Sequence, residues 1–447
     1  MFKKILIANR GEIAVRIIRA CHELGISAVA IYSESDRDSL HVKLADETYC
    51  IGKTSAKDTY LNINSIINIA IHSKSDAIHP GYGFLSESST FAKTCEEFNI
   101  SFIGPDYRII DSLGDKSNAK ETMKNANVPI IMGTEGEIES KEKAVEIADE
   151  IGYPVIVKAS AGGGGKGMRV ARNRAELVHA IEDSEKEAEN YFGNAALYLE
   201  KYLENTRHVE IQIIGDNYGN IVYLGERDCT IQRRHQKLVE ESPSPALNDR
   251  LREEMGSAAV RACRAVNYNS LGTVEFLLDA DNKFYFMEMN TRVQVEHGVT
   301  ETITGIDLIK EQICIAQGKN LSFSQSDVKG NGCAIECRIN AENPHRDFMP
   351  CPGKINKYIA PGGIGIRIDS SAYSGYTISP FYDSMISKVI AWGRDRNEAI
   401  DRMKRALGEF VIEGVDTTID FHKRLMENKI FRSGNFNTKF LEENKIL

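Results

Sequence analysis

The sequence predicts a mixed α/β and α+β architecture, with a parallel N-terminal sheet followed by two α+β regions. Over about the first 100 residues, short apolar runs alternate with segments whose apolar side chains recur at helical spacing. This alternation is typical of right-handed βαβ units on a mostly parallel sheet. Beyond residue 115, hairpin-like strands and helices are mixed. At 447 residues, the chain has the length of about three domains.

The first predicted domain, 1–114, begins with a strand at 4–8 and a helix whose apolar positions extend over 14–24. Its other predicted elements repeat this order, with strands at 28–32, 76–79 and 101–103 and helices at 63–71 and 88–98. The first turn lacks the Gly-x-Gly-x-x-Gly spacing of a dinucleotide site, so we do not expect NAD binding.

Two further domains are predicted at 115–330 and 331–447. Turn-like residues mark both boundaries: Gly114 just before the first of these domains and Gly332 at the start of the second. Their predicted strands are 208–225, 272–290, 333–339 and 354–369, and their predicted helices are 139–151, 174–190, 396–410 and 421–428. No low-complexity linker separates them, so three packed domains are expected.

Composition excludes several classes of protein. The chain is 42% hydrophobic and 27% charged, as a globular protein is, and its net charge of −9 argues against a general nucleic-acid surface. No apolar stretch has the roughly 20 residues that span a bilayer, and the apolar start ends at Asn9, too early for a signal peptide. Nine scattered cysteines without a Cys-x-x-Cys pair are typical of reduced thiols. We therefore expect a cytoplasmic protein without nucleic-acid or membrane partners.

A glycine-rich loop follows a predicted buried strand at 154–159. Four glycines at 162–165 lie between Lys158 and Lys166. Without Cβ atoms, such a loop brings backbone N–H groups close to phosphate oxygens, and the lysines add positive charge. A flexible linker is the alternative. The order strand, lysine, glycines, lysine favours phosphate binding, although the loop is not a Walker A motif.

The predicted hairpin at 272–290 carries two glutamates in apolar surroundings. Its turn at 279–282 brings Glu275 opposite Glu288. Two facing, partly buried carboxylates repel each other, and a divalent cation between them removes the repulsion. Asn290 lies on the same face as Glu288 and adds a third oxygen. This all-oxygen set predicts a Mg²⁺ or Mn²⁺ site.

Polar residues continue at every second position as far as Glu296. They are Glu288, Asn290, Arg292, Gln294 and Glu296. A half-exposed strand with a solvated polar face is the alternative to a site.

Residues 232–237 form a basic cluster, which favours anion binding beside the metal over a solvated loop or a nucleic-acid patch. His208, Glu210 and Gln212 share one strand face, where a single histidine is more often structural. Together these features indicate Mg·ATP chemistry on a fold without a P-loop.

Several long motifs resemble those of the biotin carboxylase family. The resemblance covers residues 2–441, and the motifs are 4–14, 79–87, the glycine loop, 232–237, 287–297 and 335–342. It implies a Rossmann-like N-terminal domain, a central ATP-grasp domain with a mobile lid at about 131–203, and a mixed α+β C-terminal domain. It also implies that bicarbonate attacks the γ-phosphate of ATP to give carboxyphosphate. The carboxyl group then passes to N1′ of biotin on a carrier protein.

The resemblance further implies ATP with about two Mg²⁺ or Mn²⁺ ions, and a role for each matching residue. The implied metal ligands are Glu275, Glu288 and Asn290. The implied ATP contacts are Lys116, Lys158, Gly164, Gly165, His208, His235, Glu275 and Glu288, with Glu200, Lys201, Tyr202 and Leu203 beside the adenine. Lys237, Arg292 and the Val295 backbone would hold bicarbonate. Glu296 would be the general base, and Arg338 would stabilise the enolate-like oxygen of biotin; Lys237, Arg292, Glu296 and Arg338 form the implied catalytic set.

Three residues depart from the usual family pattern. Gly298 replaces a proline, Ser88 an asparagine and Cys351 a serine. Gly298 is expected to loosen the turn after Glu296 and to change the rate, and none of the three removes an implied ligand.

The biotinylation motif Ala-Met-Lys-Met is absent. We therefore expect biotin to be carried by a separate carrier protein, with carboxyltransferase subunits as partners, and the family implies a homodimer. Acetyl-CoA, in fatty acid synthesis, is the first acceptor considered; pyruvate and other acyl-CoA systems are alternatives. The other hypotheses are a different ATP-grasp ligase, such as a carbamoyl-phosphate-synthetase-like half, and a catalytically silent regulatory subunit.

Overall fold

The structure is a computed structural model that describes residues 1–134, 136–159, 168–192 and 195–446. It confirms the mixed α/β class, with one parallel N-terminal sheet and one large antiparallel sheet. None of the described helices is long and apolar enough to cross a membrane.

The N-terminal region contains a five-stranded parallel sheet. Its strands are β1 (Lys4–Ile7), β2 (Ser27–Tyr32), β3 (Glu47–Cys50), β4 (Ala77–His79) and β5 (Ser101–Phe102), and its helices are α1 (Gly11–Glu23), α2 (Leu40–Leu44), α3 (Ile63–Ser73), α4 (Ser89–Glu97) and α5 (Tyr107–Gly114). The strand order is β3-β2-β1-β4-β5. Ile5 and Ile7 pack into one core and Leu6 into another, because side chains of a strand alternate between the two covered faces of the sheet.

A small antiparallel sheet lies within the predicted lid segment. α6 (Lys116–Asn125) precedes this segment, and the elements of the segment are α7 (Lys141–Ile151), β6 (Val155–Ala159), β7 (Met168–Ala171), α8 (Arg174–Phe192) and β8 (Leu197–Lys201). The order is β7-β6-β8, and Val155 and Val157 of the central strand pack with Val145 of α7 and Leu177 of α8. The mobility of this segment stays a prediction.

The next elements build the large sheet. They are β9 (Arg207–Gly215), β10 (Ile221–Arg233), β11 (Gln236–Ser242), α9 (Asp249–Ala265), β12 (Leu271–Leu278), β13 (Phe284–Asn290), α10 (His297–Thr304), α11 (Leu308–Ala316) and β14 (Cys333–Asn340). On β9, Val209 and Ile211 share a core with Met255 of α9. His208 and Glu210 therefore point to the opposite face of the sheet.

The C-terminal elements are β15 (Glu342–Asn343), β16 (Met349–Pro350), β17 (Gly353–Lys354), β18 (Lys357–Ile359), β19 (Ile366–Ser370), β20 (Thr377–Ile378), β21 (Met385–Gly393), α12 (Arg396–Glu409), β22 (Val411–Glu413), α13 (Ile419–Glu427), α14 (Lys429–Ser433) and α15 (Phe440–Glu443). The prediction of one strand over 354–369 is wrong, since this segment contributes strands to three different sheets. Pro361 and the left-handed Gly363 and Gly365 interrupt it.

One antiparallel sheet of eight strands, in the order β13-β12-β9-β10-β11-β14-β21-β19, continues across residue 330. At the junction, β11 pairs with β14, and Glu240 lies opposite Glu336. Alternate residues of β14 and β21, such as Cys337 and Val389, pack with Met403 of α12. The predicted division at 330 therefore separates two regions of sequence that share one sheet.

Buried ion pairs join the N-terminal helix α1 to this sheet. Arg16 Nη2 lies 2.7 Å from Glu301 Oε1 and 2.6 Å from Asp307 Oδ1, and Arg367 Nη1 of β19 lies 2.7 Å from Glu301 Oε2. Burial of Glu301 would raise its pKa, but His297, Arg16 and Arg367 outweigh burial and lower the pKa to about 2. A carboxylate held in this way strongly stabilises the fold only while it is ionised.

We expect Glu301→Gln to lower the free energy of unfolding by about 3 kcal/mol at pH 7, because the folded-state pKa lies far below the ordinary value. A depressed pKa contributes stability above the unfolded-state pKa near 4.5, and this contribution is lost as the pH falls towards about 2. Urea unfolding at pH 7 and pH 3 measures the effect, which should more than halve at the lower pH. Glu97→Gln, in an exposed pair with Lys93, is the control. Equal losses in both variants at pH 7 would contradict the assignment.

Candidate active site

Three carboxylates stand in a row across neighbouring strands of the large sheet. Glu275 of β12 pairs directly with Glu210 of β9 on one side and with Glu288 of β13 on the other. The predicted facing of Glu275 and Glu288 is therefore confirmed. A bulge at Met287 displaces the register, since Phe276 pairs with Phe286.

Glu288 is more exposed than its apolar flanks suggest. The expectation that both glutamates are partly buried holds for Glu275, which is 3% exposed, but is wrong for Glu288. The reason is that β13 is the edge strand of the sheet. Glu288 thus presents its carboxylate at an open border, whereas Glu275 lies inside.

Lys237 of β11 contacts three buried carboxylates. Its Nζ lies 2.6 Å from Glu210 Oε2, 2.7 Å from Glu296 Oε1 and 3.0 Å from Glu275 Oε1. Burial opposes the charge of the ammonium, but the acidic groups around it raise the pKa of Lys237 well above its ordinary value. The lysine is therefore charged and compensates part of the negative charge of this site.

Glu275 is held from several directions. Its Oε1 accepts hydrogen bonds from Gln294 Nε2 at 2.6 Å and Asn290 Nδ2 at 2.9 Å, and its Oε2 lies 2.8 Å from His208 Nε2. Burial alone would raise the pKa of Glu275, but Lys237 and His208 lower it below the ordinary range. His208 thus lies in the site rather than in an unrelated part of the core.

The strand does not continue to Glu296, so the alternative of one half-exposed strand with a polar face over 288–296 is wrong. β13 ends at Asn290, and the loop 291–296 leads into α10. In this loop Arg292 contacts Glu87 Oε2 through Nε at 2.8 Å and Asn290 Oδ1 through Nη2 at 2.7 Å. The side chain of Glu296 turns towards the large sheet instead of sharing a strand face with Arg292.

Glu296 is buried between two cations. Its Oε1 lies 2.7 Å from Lys237 Nζ, and its Oε2 accepts a hydrogen bond from Arg338 Nη2 at 2.9 Å. Burial would raise the pKa of Glu296, but Lys237, Arg338 and Arg227 together lower it well below its ordinary value. The carboxylate is ionised at neutral pH and is placed beside the donors that an anionic substrate would use.

Two further glutamates surround Arg338. Glu240 Oε1 accepts a hydrogen bond from Arg338 Nε at 2.7 Å. Burial raises the pKa of Glu240 to about 7 although Arg338 opposes the shift. Glu336, directly opposite Glu240, is fully buried and its pKa is raised well above the ordinary value, chiefly by burial. Arg338 is thus anchored on β14 with its guanidinium next to Glu296.

Of the residues predicted to bind ATP, Lys158, Glu200 and Lys201 lie on the paired strands β6 and β8 of the small sheet. Lys158 Nζ lies 2.5 Å from Glu200 Oε2, and Lys120 also contacts Glu200. The backbone N–H of Tyr202 donates to Pro154 O at 3.0 Å, and Lys201 Nζ donates to Gly152 O at 3.0 Å, with Leu203 following in the same segment. Gly164 and Gly165, and the side chain of Lys116, lie outside the described part of the chain.

The side chains of the basic cluster 232–237 point to two different parts of the structure. Arg234 and His235 form the turn between β10 and β11, both with positive φ. Arg234 Nη2 lies 2.8 Å from Asp347 Oδ2, and Arg233 contacts the same carboxylate, while His235 is exposed. Gln232, 3.3 Å from His208 Nδ1, and Lys237 extend towards the buried carboxylates of the large sheet. The prediction that the whole cluster lies beside the metal is therefore wrong for the two arginines.

Arg227, which is fully buried on β10, is a residue of the site that no sequence motif predicted. Its Nε lies 2.5 Å from Glu210 Oε1, and its Nη2 donates to Gln294 Oε1 at 2.8 Å. It thereby orients two side chains that touch Lys237 and Glu275. Three consecutive charged residues, 226–228, inside a long strand were the available signal.

Oxygen donors for a divalent cation lie along the β12–β13 border. Glu275, Glu288 and Asn290 offer carboxylate and amide oxygens on paired strands, and the exposure of Glu288 leaves this border accessible. This donor set fits Mg²⁺ or Mn²⁺. His208, Glu210 and Glu275 also place ligand atoms within 4.8 Å of one another, but the Lys237 ammonium already contacts both carboxylates of that group.

Family models match nearly the whole chain. Residues 1–110 match the biotin carboxylase N-terminal domain, 115–324 the ATP-binding domain of the carbamoyl-phosphate synthase L chain, and 336–443 the biotin carboxylase C-terminal domain.

Relatives and solved structures that match nearly the whole chain are also biotin carboxylases, or biotin carboxylase subunits or domains. The chain is 62% identical to biotin carboxylase 1 of Bacillus subtilis, over 99% of this chain and 98% of that protein. The solved biotin carboxylase subunit of a pyruvate carboxylase has a TM-score of 0.87 and 53% identity, covering 99% of this chain and 98% of that chain. A solved dimer of the biotin carboxylase domain of Hydrogenobacter thermophilus 2-oxoglutarate carboxylase, in complex with MgADP, ADP and bicarbonate, has a TM-score of 0.95 and 53% identity, covering 99% of this chain and 98% of that chain.

Gly298, next to the site, lies in the first turn of α10 rather than in a loose turn, and Ile390 of β21 fills the space beside it. A Cβ on Gly298 would lie 2.4 Å from Ile390 Cδ1. We expect Gly298→Ala to lower the free energy of unfolding by about 1–3 kcal/mol because of this overlap. Thermal or urea unfolding measures the change.

Adding Ile390→Val, which removes Cδ1, should restore part of the stability lost in Gly298→Ala. Gly408→Ala, in an open position of α12, is the control and should keep or raise stability. A loss in Gly298→Ala that Ile390→Val does not relieve would contradict the packing explanation.

Proposed function

Because the chain belongs to the biotin carboxylase family of ATP-dependent ligases, we propose that it carboxylates biotin on a separate carrier protein, with bicarbonate as the carbon source. The observation that carries this proposal is Glu296, an ionised and buried carboxylate between Lys237 and Arg338. A carboxylate between two cations suits the role of a proton acceptor, because each cation can bind an anionic substrate.

Glu275, Glu288 and Asn290 would hold one or two Mg²⁺ or Mn²⁺ ions. The bound Mg·ATP supplies the phosphoryl group that activates bicarbonate. Lys116, Lys158, Gly164, Gly165, His208 and His235 would contact the nucleotide, with Glu200, Lys201, Tyr202 and Leu203 beside the adenine. We also propose that the lid segment is mobile and that the chain is divided into domains at 1–114, 115–330 and 331–447.

Bicarbonate would lie between Arg292, Lys237 and the backbone of Val295. Glu87 and Asn290 hold the Arg292 guanidinium at 2.8 and 2.7 Å, so its remaining donors are oriented before the anion arrives. A planar guanidinium suits a planar carboxylate-like anion, and the lysine adds a point charge.

Glu296 would take the proton of bicarbonate. In the structure Lys237 and Arg338 keep the pKa of Glu296 low, more than offsetting burial, which makes it a weak base. Bicarbonate and biotin would each engage one of these cations and weaken its hold on Glu296, and the pKa of the carboxyl group would rise. Substrate binding would thus itself make the base competent.

Arg338 would stabilise the oxygen of deprotonated biotin. Glu240 at 2.7 Å fixes one edge of its guanidinium, and its permanent charge suits a developing enolate-like oxygen. The same guanidinium contacts Glu296, so the biotin and bicarbonate positions would be adjacent.

We propose acetyl-CoA as the final acceptor, through carboxyltransferase subunits and a biotin carboxyl carrier protein. The similar structures from a pyruvate carboxylase and a 2-oxoglutarate carboxylase make pyruvate and other acceptors the second candidates. A homodimer is proposed from the dimer of the similar 2-oxoglutarate carboxylase domain. Another ATP-grasp ligase is disfavoured because the matches at 1–110 and 336–443 are to biotin carboxylase domains.

One assay separates these hypotheses: ADP release from ATP, with bicarbonate, in the presence and absence of free biotin. Turnover that biotin stimulates supports the proposal. Turnover only with another acceptor would favour a different ligase, and no turnover would favour a silent regulatory protein. Purification of the protein with its partner subunits, followed by assay with acetyl-CoA and pyruvate, identifies the final acceptor.

We expect Glu296→Ala and the isosteric Glu296→Gln to lower kcat by about 10²–10⁴-fold, since both remove the proton acceptor. ATP affinity should stay within about twofold, because neither Lys237 nor Arg338, the two cations that Glu296 contacts, is a proposed nucleotide contact. Steady-state kinetics and nucleotide titration measure both quantities. An unchanged kcat in either variant would exclude Glu296 as the base.

Glu288→Ala should raise the Mg²⁺ concentration needed for half-maximal activity by about tenfold or more, since it removes a charged oxygen ligand at an accessible edge. Mg²⁺ titration at saturating ATP measures the shift. Asp281→Ala, in the exposed turn of the same hairpin, is the control and should not shift the titration. Identical titrations for Glu288→Ala and the unsubstituted protein would refute the metal assignment.

A further inference from the structure

Lys388 of β21 is a fully buried lysine that none of the assigned roles uses. It pairs across the strands with Arg338, so both side chains lie on the same face of the large sheet. A buried ammonium is costly unless its donors find partners and its charge is balanced. The partners of the Lys388 ammonium therefore indicate which groups this lysine positions.

The nearest partner is a backbone oxygen of the loop before α10. Lys388 Nζ donates to Val295 O at 2.7 Å. The ammonium also lies 3.2 Å from Glu12 Oε1 and 3.8 Å from Asp369 Oδ2. Burial disfavours the charged form, but Glu12, Glu336 and Asp369 outweigh it and raise the pKa of Lys388.

The bond to Val295 O constrains the site directly. Because a peptide unit is planar, holding this oxygen restricts the orientation of the Val295–Glu296 peptide group. On the neighbouring residue, Arg227 holds the Gln294 side chain at 2.8 Å. The loop is thus held by two buried cations, one on β10 and one on β21.

The partners of Lys388 come from distant parts of the chain. Glu12 belongs to the first turn of α1 and also accepts a hydrogen bond from Tyr82. Asp369 belongs to β19 and is the cross-strand neighbour of Lys388. Lys388 therefore ties the N-terminal region, the large sheet and the loop together at one atom.

We propose that Lys388 is a positioning residue for bicarbonate: by holding the Val295 carbonyl it sets the Val295–Glu296 peptide so that Arg292, the Val295 backbone and Glu296 meet the anion together. This rests on the proposed function. Lys388 itself does not touch the substrate, and the nucleotide contacts lie on other strands and in the lid. Its loss should therefore affect bicarbonate and leave ATP binding unchanged.

The alternative is that Lys388 only balances buried carboxylates. Such a role would lower stability and reduce the fraction of active protein without changing either KM. A positioning role predicts a selective change instead. The decisive measurement is the KM for bicarbonate compared with the KM for ATP in the same folded variant.

We expect Lys388→Met to raise the KM for bicarbonate by about tenfold or more and to leave the KM for ATP within about twofold. Lys388→Arg, which keeps a charged donor, should recover part of the bicarbonate KM. Lys4→Met is the matched control, because Lys4 also donates to a backbone oxygen, Ser73 O at 2.9 Å, and pairs with a glutamate, but lies in the N-terminal sheet. It should change neither KM.

Glu12→Gln provides a second test, which decides the question if Lys388→Met does not fold. It leaves the lysine in place but removes the charge that anchors it, so the KM for bicarbonate should rise by about two- to fivefold with the KM for ATP unchanged. Equal KM values for bicarbonate in the folded variants and the unsubstituted protein would overturn the positioning role. If the unsubstituted protein shows no bicarbonate-dependent turnover, the proposed function fails and the positioning role fails with it.

Discussion

Excess negative charge inside the large sheet is the constraint on which the rest of the structure depends. Glu210, Glu275 and Glu296 converge within hydrogen-bonding distance of one ammonium, that of Lys237. Buried carboxylates that remain ionised require nearby cations, and here the sheet itself supplies them. Arg227 and Arg338 supply the remaining positive charge from neighbouring strands. The same charges that balance one another in the fold thereby form the proposed binding surface.

This balance explains why the site needs a sheet built from both halves of the chain. The acids come mainly from β9, β12 and the loop before α10, whereas Arg338 and Lys388 come from β14 and β21. Alternation along each strand sends apolar residues to α9 and α12 and polar residues to the opposite face. One face is therefore a conventional hydrophobic core, and the other is a network of compensated charges. The hydrophobic core and the charged network are therefore the two faces of the same sheet, and the site depends on both.

Local patterns in the sequence predicted those parts of the site that depend on neighbouring residues. The hairpin turn was enough to place Glu275 opposite Glu288, and the strand–helix alternation was enough for the N-terminal sheet. The pairing of β11 with β14 could not be predicted, because no local signal selects a strand from a distant segment. The exposure of Glu288 depends on its strand being at an edge. The diversion of Arg233 and Arg234 depends on Asp347, which lies far along the chain.

The continuity of the sheet across residue 330 also limits how the protein can be divided. Separation at this point would uncover the hydrogen-bonding groups of β11 on one fragment and of β14 on the other. Unpaired strand edges of this kind favour aggregation by pairing with other chains. Each fragment would also keep buried acids or arginines without their partners, since Arg338 and Glu296 lie on opposite sides of the cut. The two sequence regions therefore depend on each other through this sheet, and exchange of either region between relatives would have to preserve the β11–β14 pairing.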